Sequence, residues 1–201
     1  MSVRTRVAGV LLAAGGGSRL GRPKALVRIA GQSLADRGVA LLRAGGAAPV
    51  VVVTGAAAAE PLGVLIVHNP DWRSGMGSSL AVGLTALPGT AEAAVIALAD
   101  QPLVGPEAVR RLIAAYEQGA GVAVAAYDGQ PRNPVLIARP HWAEVIAAAV
   151  GDTGARAFLR SRPELVTLVE CGDTGRPDDV DTPEDLERVA RAVESLRTPP
   201  G

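Results

Sequence analysis

Short apolar runs alternate with amphipathic stretches along most of the chain. Residues 7–13 form a continuous apolar run that ends at a glycine cluster, as is typical of a strand buried on both faces of a parallel sheet. Similar runs predict strands at residues 50–53, 64–67, 94–99, 122–126, 134–137 and 165–169. Helical spacing of apolar residues predicts helices at residues 33–44, 78–87, 106–116, 141–150 and 183–196. This alternation predicts an α/β fold with a mostly parallel, doubly wound sheet.

Polar clusters follow several of the predicted strands. They lie at residues 14–24, 68–79, 100–102 and 178–182. In open α/β sheets, ligands bind beyond the carboxyl ends of the strands, so we expect these clusters to meet at one edge of the sheet. The length of 201 residues and the hydrophobic content of 48% suit one core. We therefore expect a single domain over residues 1–197 and a flexible tail at residues 198–201.

The overall charge and composition argue against polymeric and membrane partners. Lys plus Arg and Asp plus Glu number 20 each, so no net field attracts nucleic acid or an anionic membrane. Aromatic residues make up 2% of the chain, too few for a base-stacking platform. Cys171 is the single cysteine and has neither a disulfide partner nor metal-ligand spacing. The first residues predict neither a signal peptide nor a membrane span, and we expect a cytoplasmic protein.

The segment at residues 12–24, LAAGGGSRLGRPK, has the glycines of a phosphate-binding loop. It does not match a P-loop, because Gly21 is followed by Arg22 and not by Lys and Ser or Thr. It does not match a dinucleotide-binding loop either, because Leu20 replaces the third glycine. Two interpretations remain on these residues alone: an anion cradle with the cations Arg19, Arg22 and Lys24, or a flexible loop with solvated basic residues.

The same segment resembles the opening signature of the GT-A-like nucleotidylyltransferases of the MobA-like NTP transferase superfamily, and it matches every fixed position. Residues 74–80, 99–102, 133–135, 151–156 and 179–185 resemble, in order, further blocks of the molybdopterin cytidylyltransferase branch. Two features depart from that pattern. Arg132 replaces a small residue before Asn133 and Pro134, and the connection at residues 55–63 is short for a crossover helix.

The resemblance implies a single-domain, three-layer α/β/α Rossmann-like (GT-A-like) fold that transfers CMP from CTP to a phosphorylated acceptor, molybdopterin in that branch. It implies Mg²⁺, with Mn²⁺ as an alternative, and release of pyrophosphate. The implied nucleotide-binding residues are Leu12, Ala13, Ala14, Gly15, Gly16, Gly17, Arg19, Lys24, Gly75, Ser79 and Asp100. The implied catalytic residues are Arg19, Lys24 and Asp100; the metal ligands are Asp100 and Asp181; the acceptor-binding residues are Asn133, Asp152 and Arg156.

Asp100 is the first charged residue after a wholly apolar strand, where an unpaired carboxylate would be costly to desolvate. It either binds a cation such as Mg²⁺ or caps the helix predicted at residues 106–116 or a nearby turn. Asp179 competes with Asp181 as the second metal ligand. A phosphate monoester is mostly dianionic at neutral pH, since its second pKa is about 6, so the implied reaction needs no general base. His68 and His141 are therefore interpreted as structural residues.

Ala14 favours cytidylyl transfer, because guanylyl relatives carry glycine there and a methyl group would crowd a purine. The loop at residues 74–79 is expected to lead into a helix N-terminus, where it reads the base or where Ser74 or Ser78 simply caps the helix. A guanylyltransferase or a sugar-phosphate nucleotidylyltransferase is the alternative within the enzyme class. An accessory protein that carries the cofactor and docks onto a molybdenum enzyme is the alternative from another class.

Overall fold

The computed structural model describes residues 7–59, 61 and 63–197, with side chains described up to residue 195. The predicted tail at residues 198–201 lies outside this part. The strands are β1 Val7–Ala13, β2 Arg28–Ile29, β3 Gln32–Ser33, β4 Val50–Thr54, β5 Leu65–His68, β6 Ala93–Leu98, β7 Val122–Tyr127, β8 Gln130–Ala138 and β9 Val166–Glu170. The α-helices are α1 Leu34–Ala44, α2 Met76–Thr85, α3 Pro106–Glu117, α4 Trp142–Ala148, α5 Arg156–Ser161 and α6 Pro183–Arg197.

The central sheet contains seven of the described strands in the order β5-β4-β1-β6-β8-β7-β9. Strand β1 pairs in parallel with both β4 and β6, and the pairs β4–β5 and β7–β9 are also parallel. Strand β8 is antiparallel to its neighbours β6 and β7. The predicted mostly parallel sheet is therefore confirmed, with β8 as the exception.

Both faces of the sheet are covered by helices. Leu11 of β1 packs with Leu42 of α1 and Leu112 of α3 in one hydrophobic cluster. A second cluster joins Leu80 of α2 to Phe158 of α5 on the other face. Because residues on a strand alternate between faces, a completely apolar strand such as β1 supplies both clusters. The predicted three-layer α/β/α architecture is confirmed.

A third cluster attaches the C-terminal helix to the rest of the domain. Val189 and Val193 of α6 pack with Val27, Leu34 and Val180. The hydroxyl of Thr182 accepts a hydrogen bond from the Asp185 N–H at 3.2 Å and so caps the N-terminus of this helix. This packing places the segment before α6 next to the loop that follows β1.

Some elements differ from the sequence-based predictions, either because they are too short for a periodic pattern or because they begin earlier than predicted. The two-residue strands β2 and β3 and the six-residue helix α5 were not predicted. Helix α2 begins at Met76, before the predicted residue 78. Strand β8 begins at Gln130, earlier than predicted, because Asp128 and Gly129 both adopt positive φ and form a tight hairpin turn from β7.

The carboxyl ends of β1, β4 and β6 lie side by side, so the segments that follow them meet at one edge of the sheet. Among the residues described between Gly55 and Val64, none is helical, in agreement with the short connection noted in the sequence. Within the described residues, no helix has the length and apolar character needed to cross a membrane.

Candidate active site

The loop after β1 folds back on itself. The N–H of Leu20 donates to the carbonyl of Gly17 at 3.0 Å, and the N–H of Lys24 donates to the carbonyl of Gly15 at 3.4 Å. Gly17 has φ of +61°, and a Cβ there would lie 2.1 Å from the carbonyl oxygen of Arg22. Only glycine fits this turn. The turn returns Lys24 to the beginning of the loop.

Lys24 holds two carboxylates that come from distant parts of the chain. Its Nζ lies 2.7 Å from Oδ2 of Asp100 and also contacts Oδ1 of Asp181. Burial alone would lower the pKa of Lys24, but the charges and hydrogen bonds of the two carboxylates outweigh it and raise the pKa above its ordinary value. The side chain is therefore a cation that joins the carboxyl end of β6 to the segment before α6.

The backbone supports this arrangement. The N–H of Val180 donates to the carbonyl of Asp100 at 2.9 Å, which fixes the neighbouring Asp181 beside it. Asp100 does not cap α3, since the N-terminal cap of that helix is Gly105 without a side-chain hydrogen bond. Of the two interpretations of Asp100, the structure thus supports the one in which its carboxylate meets a cation.

Asp179 has different surroundings from Asp181. Its Oδ1 accepts a hydrogen bond from Nε2 of Gln101 at 2.9 Å. Burial, together with the nearby charge of Asp100, raises the pKa of Asp179 above its ordinary value. Asp181, not Asp179, shares the ammonium group of Lys24 with Asp100.

The carboxylates of Asp100 and Asp181 suit a divalent cation. One oxygen of each carboxylate contacts the Lys24 ammonium group, so both carboxylates face the same cation. Mg²⁺ commonly takes one or two carboxylates and completes its shell with phosphate oxygens and water. In the described part of the chain, no group of three or more His, Cys, Asp or Glu side chains could hold a metal ion. The residues present therefore fit a cation that is shared with a phosphate ligand, and not a fully protein-bound metal.

The segment between β5 and α2 is organised by a buried asparagine. Nδ2 of Asn69 donates to the hydroxyls of Ser78 and Ser79 at 2.8 and 2.9 Å, and Oδ1 of Asn69 accepts from the N–H of Asp71 at 3.0 Å. The N-terminal cap of α2 is Gly75, which makes no side-chain hydrogen bond. Capping by Ser74 or Ser78, one of the two sequence interpretations, is therefore absent, and the first N–H groups of α2 are not satisfied by a side-chain cap.

The beginning of α2 touches the turn before α5 without intervening side chains. A Cβ on Gly75, whose φ is +115°, would lie 2.2 Å from the carbonyl carbon of Gly151. A Cβ on Gly77 would lie 2.2 Å from the carbonyl oxygen of Ala149. Both glycines allow a close backbone approach that brings Asp152 next to Gly75.

These segments enclose a cavity of about 560 Å³, called the loop pocket. Its lining residues are Leu12, Ala13, Ala14, Gly15, Gly16, Lys24, Trp72, Arg73, Gly75, Met76, Ser79, Leu98, Ala99, Asp100 and Asp152. The pocket combines backbone N–H groups, a half-buried cation and a carboxylate at the carboxyl ends of β1 and β6. This is the place and the chemistry expected for a phosphate ligand.

A second, larger cavity of about 1110 Å³, called the outer groove, lies beside the loop pocket, and Met76 lines both. Strand β8 and helix α5 contribute Asn133 and Arg156 to the outer groove, and the segment before α6 contributes Asp179 and Asp181. Because Lys24 joins Asp100 of the loop pocket to Asp181 of the outer groove, the two cavities meet at this ion pair.

The structure brings most of the candidate residues together. Arg19 and Gly17 do not line the loop pocket, although Nη2 of Arg19 lies 4.0 Å from Asp181. Asp152 lines the loop pocket, whereas the resemblance groups it with the acceptor side. Asn133 and Arg156 both line the outer groove.

The sequence interpretation missed Trp72 as a pocket residue. The Trp72 ring lies against the loop, since a Cβ on Gly16 would come within 3.0 Å of its Cη2 atom. The guanidinium carbon of Arg73 lies 4.4 Å from the centre of the Trp72 ring. Asn69 was also missed. The available signal was the position of both residues in the polar cluster 68–79, directly after a predicted strand.

Comparison with curated proteins gives relatives of similar length. The chain is 39% identical to nicotine blue oxidoreductase of Paenarthrobacter nicotinovorans, over 91% of this chain and 96% of the relative. It is 29% identical to a molybdenum cofactor guanylyltransferase of Rhodobacter capsulatus, over 96% and 97% of the two chains.

Among solved structures, the homologue of Mycobacterium tuberculosis Rv0371c from Mycobacterium sp. strain JC1 has a TM-score of 0.85 and 34% identity, over 96% of this chain and all of that one. Rv0371c of M. tuberculosis H37Rv in complex with manganese has a TM-score of 0.72 and 27% identity, over 94% and 100%. A family model described as the MobA-like NTP transferase domain matches residues 9–166. The chain therefore belongs to the MobA-like NTP transferase family and is a nucleotidyltransferase.

Proposed function

We propose that the protein transfers CMP from CTP to the phosphate of a small acceptor and releases pyrophosphate, with Mg²⁺ or Mn²⁺ as its metal. The observation that carries this proposal is the ion pair of Lys24 with Asp100 and Asp181 at the junction of the two cavities. A nucleotide in the loop pocket and an acceptor in the outer groove meet at this point. The manganese complex of Rv0371c supports a divalent metal in this fold.

The reaction is an in-line attack by an acceptor phosphate oxygen on the α-phosphorus of the triphosphate. The new bond joins this oxygen to the α-phosphorus, and the bond from the α-phosphorus to the bridging oxygen breaks, so pyrophosphate takes the electron pair. The attacking phosphate is already ionised at neutral pH, since its second pKa is about 6. No proton has to be removed, which agrees with the absence of a histidine from the described lining of both cavities.

The chain contributes binding, orientation and charge neutralisation. N–H groups of the loop at Gly15 and Gly16 hold the triphosphate, while Lys24 and Arg19 offset the charge of its β- and γ-phosphates. Asp100 and Asp181 would hold the metal, which would supply charge neutralisation at the phosphates. Lys24 separates these two carboxylates from one another in the free protein. With a divalent metal between these carboxylates, the Lys24 ammonium group would be available to the phosphates.

Two side chains of the loop pocket support a pyrimidine base. Ala14 lines the pocket and packs beside Gly55, where an added Cβ would lie 2.8 Å from the Cβ of Ala14. The buried hydroxyl of Ser79 accepts from Asn69, which leaves its own hydrogen free to donate to a base carbonyl. The N–H groups at the start of α2 provide further donors.

The acceptor binds in the outer groove, with Asn133 and Arg156 as contacts for its phosphate and body. Molybdopterin is the acceptor that the motif blocks favour. The protein would then dock onto a molybdenum enzyme that receives the product. Asp152 faces the loop pocket, so its role is to border the nucleotide. We propose that the protein carries out this activity in the cytoplasm.

The relative named nicotine blue oxidoreductase supports a second candidate, an oxidoreductase. The loop argues against dinucleotide binding, because Leu20 replaces the third glycine of that fingerprint. The guanylyltransferase relative supports GTP in place of CTP within the same chemistry.

A pyrophosphate-release assay tests the proposal. Each of four nucleoside triphosphates is combined with a panel of phosphorylated acceptors, molybdopterin included, with Mg²⁺, with Mn²⁺ and with a chelator. We expect metal-dependent release with CTP and molybdopterin. Release with GTP alone would favour the guanylyltransferase. Absence of release with every triphosphate, together with turnover of NADH or NADPH or co-purification with an apo-molybdenum hydroxylase, would overturn the transferase in favour of an oxidoreductase or an accessory protein.

A further inference from the structure

Three arginines that line the outer groove, Arg132, Arg156 and Arg160, form no ion pair with the described residues. Among the described residues, Arg156 and Arg160 have no hydrogen-bond or ion-pair partner. Arg132 contacts only the carbonyl of its neighbour Pro131, at 3.4 Å. By contrast, Arg162, which follows Arg160 closely in the chain, forms ion pairs at 2.7 and 2.6 Å with two glutamates outside the groove.

The carboxylates on the opposite side of the groove are all engaged by side chains of the protein. They are Asp178, Asp179, Asp181 and Asp185. Arg188 donates to Asp178 at 2.9 Å and to Asp185 at 2.8 Å. Gln101 donates to Asp179, and Lys24 holds Asp181. The acidic side of the groove is thus satisfied internally, whereas the arginine side is available to a ligand.

The arginines extend away from the loop pocket. Helix α5 begins at Arg156, directly after the turn whose Gly151 touches Gly75. Arg160 lies one helical turn further along α5, about 6 Å from Arg156 at 1.5 Å per residue. Arg156 is therefore the arginine of α5 nearer to the reacting phosphates, and Arg160 lies beyond it.

The groove between the two sides has an apolar floor. Val124 and Val135 of the sheet and Leu159 of α5 line it, together with Val166 and Leu168 of β9. An acceptor body with an apolar or planar heterocyclic face can cover this floor.

The charges of the arginine side exceed those of one phosphate. Three guanidinium groups carry three positive charges, whereas a phosphate monoester carries about −1.5 to −2 at neutral pH. At least one of the three positive charges is therefore left for another group.

We propose, on the basis of the proposed function, that the acceptor carries a second anionic group besides its reacting phosphate, and that Arg132 and Arg160 bind it. Arg156 remains the contact for the phosphate. Arg132 is the position at which this chain departs from the motif pattern of a small residue before Asn133 and Pro134. The departure places a guanidinium, which suits bidentate anion binding, in the groove.

A matched pair of probes isolates the second charge. Phenyl phosphate and 4-carboxyphenyl phosphate share the apolar body and the phosphate, and differ by one carboxylate. Their dissociation constants are measured by calorimetry with the loop pocket filled by α,β-methylene CTP and Mg²⁺. We expect the wild type to bind 4-carboxyphenyl phosphate about tenfold more tightly than phenyl phosphate.

The preference should be lost in the double variant Arg132→Ala and Arg160→Ala and partly kept in Arg132→Lys. The matched control is Arg191→Ala on α6, which removes an exposed arginine whose carboxylate lies 3.9 Å away and which does not line the groove. Equal affinity for the two probes, binding of neither at millimolar concentration, or a preference that survives in the double variant would overturn this inference alone. Failure of the wild type to bind the CTP analogue would overturn the proposed function as well.

Discussion

The loop pocket and the outer groove lie side by side but are built in different ways. In the loop pocket, the ammonium group of Lys24 is fixed by Asp100 and Asp181, and Asn69 fixes the hydroxyl of Ser79. In the outer groove, Arg156 and Arg160 have no partner among the described residues. The loop pocket is therefore preorganised by internal contacts, and the groove presents charges that a ligand has to satisfy. On the proposed function, a fixed pocket suits the nucleoside triphosphate, and an unpaired groove suits an anionic acceptor.

The largest expected effect comes from breaking the junction of the two cavities. Asp100→Asn and Asp181→Asn should each lower metal-dependent pyrophosphate release about 10³-fold or more, because each removes a charge from the proposed metal site with little change in volume. Asp179→Asn is the matched control from the same segment, since its side chain is bonded to Gln101 and not to Lys24. It should lose less than about tenfold. Steady-state assays and circular dichroism of all three variants check activity and fold.

If Asp179→Asn lost as much activity as Asp181→Asn, the second metal ligand would have been assigned to the wrong aspartate. Near-wild-type release by Asp100→Asn would contradict the metal assignment altogether.

The second effect concerns Lys24, which belongs to the fixed pocket. Lys24→Ala should weaken CTP binding about 100-fold and CMP binding much less, because a charged hydrogen bond to the β- and γ-phosphates is lost. Calorimetric titration with both nucleotides gives the two ratios. Arg28→Ala is the control, since Arg28 is exposed and donates to the carbonyl of Gly31 away from the pocket. Equal losses for CTP and CMP would place Lys24 away from the outer phosphates.

The difference between the two cavities also explains how far the sequence could predict them. The loop pocket follows largely from residues 12–24 and from Asp100, because a buried parallel strand delivers whatever follows it to one edge of the sheet. Asp181 required the resemblance, since nothing local links it to Lys24 across the chain.

The outer groove was less predictable because it is assembled from separate elements. Helix α5 has six residues, fewer than two turns, so no periodicity indicated which of its side chains face inward. Arg160 was missed for this reason. Asp152 lies on the loop-pocket side because of the glycine contact between α2 and the turn at residue 151, a contact between backbones that side-chain patterns do not encode.

A third prediction targets the backbone contact between helix α2 and the turn before α5. Gly77→Ala should destabilise the protein by about 1–3 kcal/mol and weaken binding of both substrates, because its Cβ would meet the carbonyl oxygen of Ala149 at 2.2 Å. Gly89→Ala is the control, because a Cβ there has no neighbour within 4 Å and φ is not positive. Chemical denaturation measures the stability of both. A Gly77→Ala protein as stable as Gly89→Ala would mean that the turn before α5 moves freely and does not hold the cavities together.

The smallest expected effect sharpens the nucleotide choice within the loop pocket. Wild type should prefer CTP to GTP, and Ala14→Gly should reduce the ratio of the two kcat/KM values by about five- to tenfold, since one methyl group in a pocket is worth about 1–3 kcal/mol. The preference should not invert, because the hydroxyl of Ser79 and the N–H groups of α2 still pair with a pyrimidine. Ala8→Gly at the other end of β1 is the control, since it removes a buried methyl group from the same strand away from the pocket. Should wild type favour GTP, or should Ala14→Gly leave the ratio unchanged, Ala14 would be a packing residue beside Gly55, and the choice of base would rest on the backbone of α2.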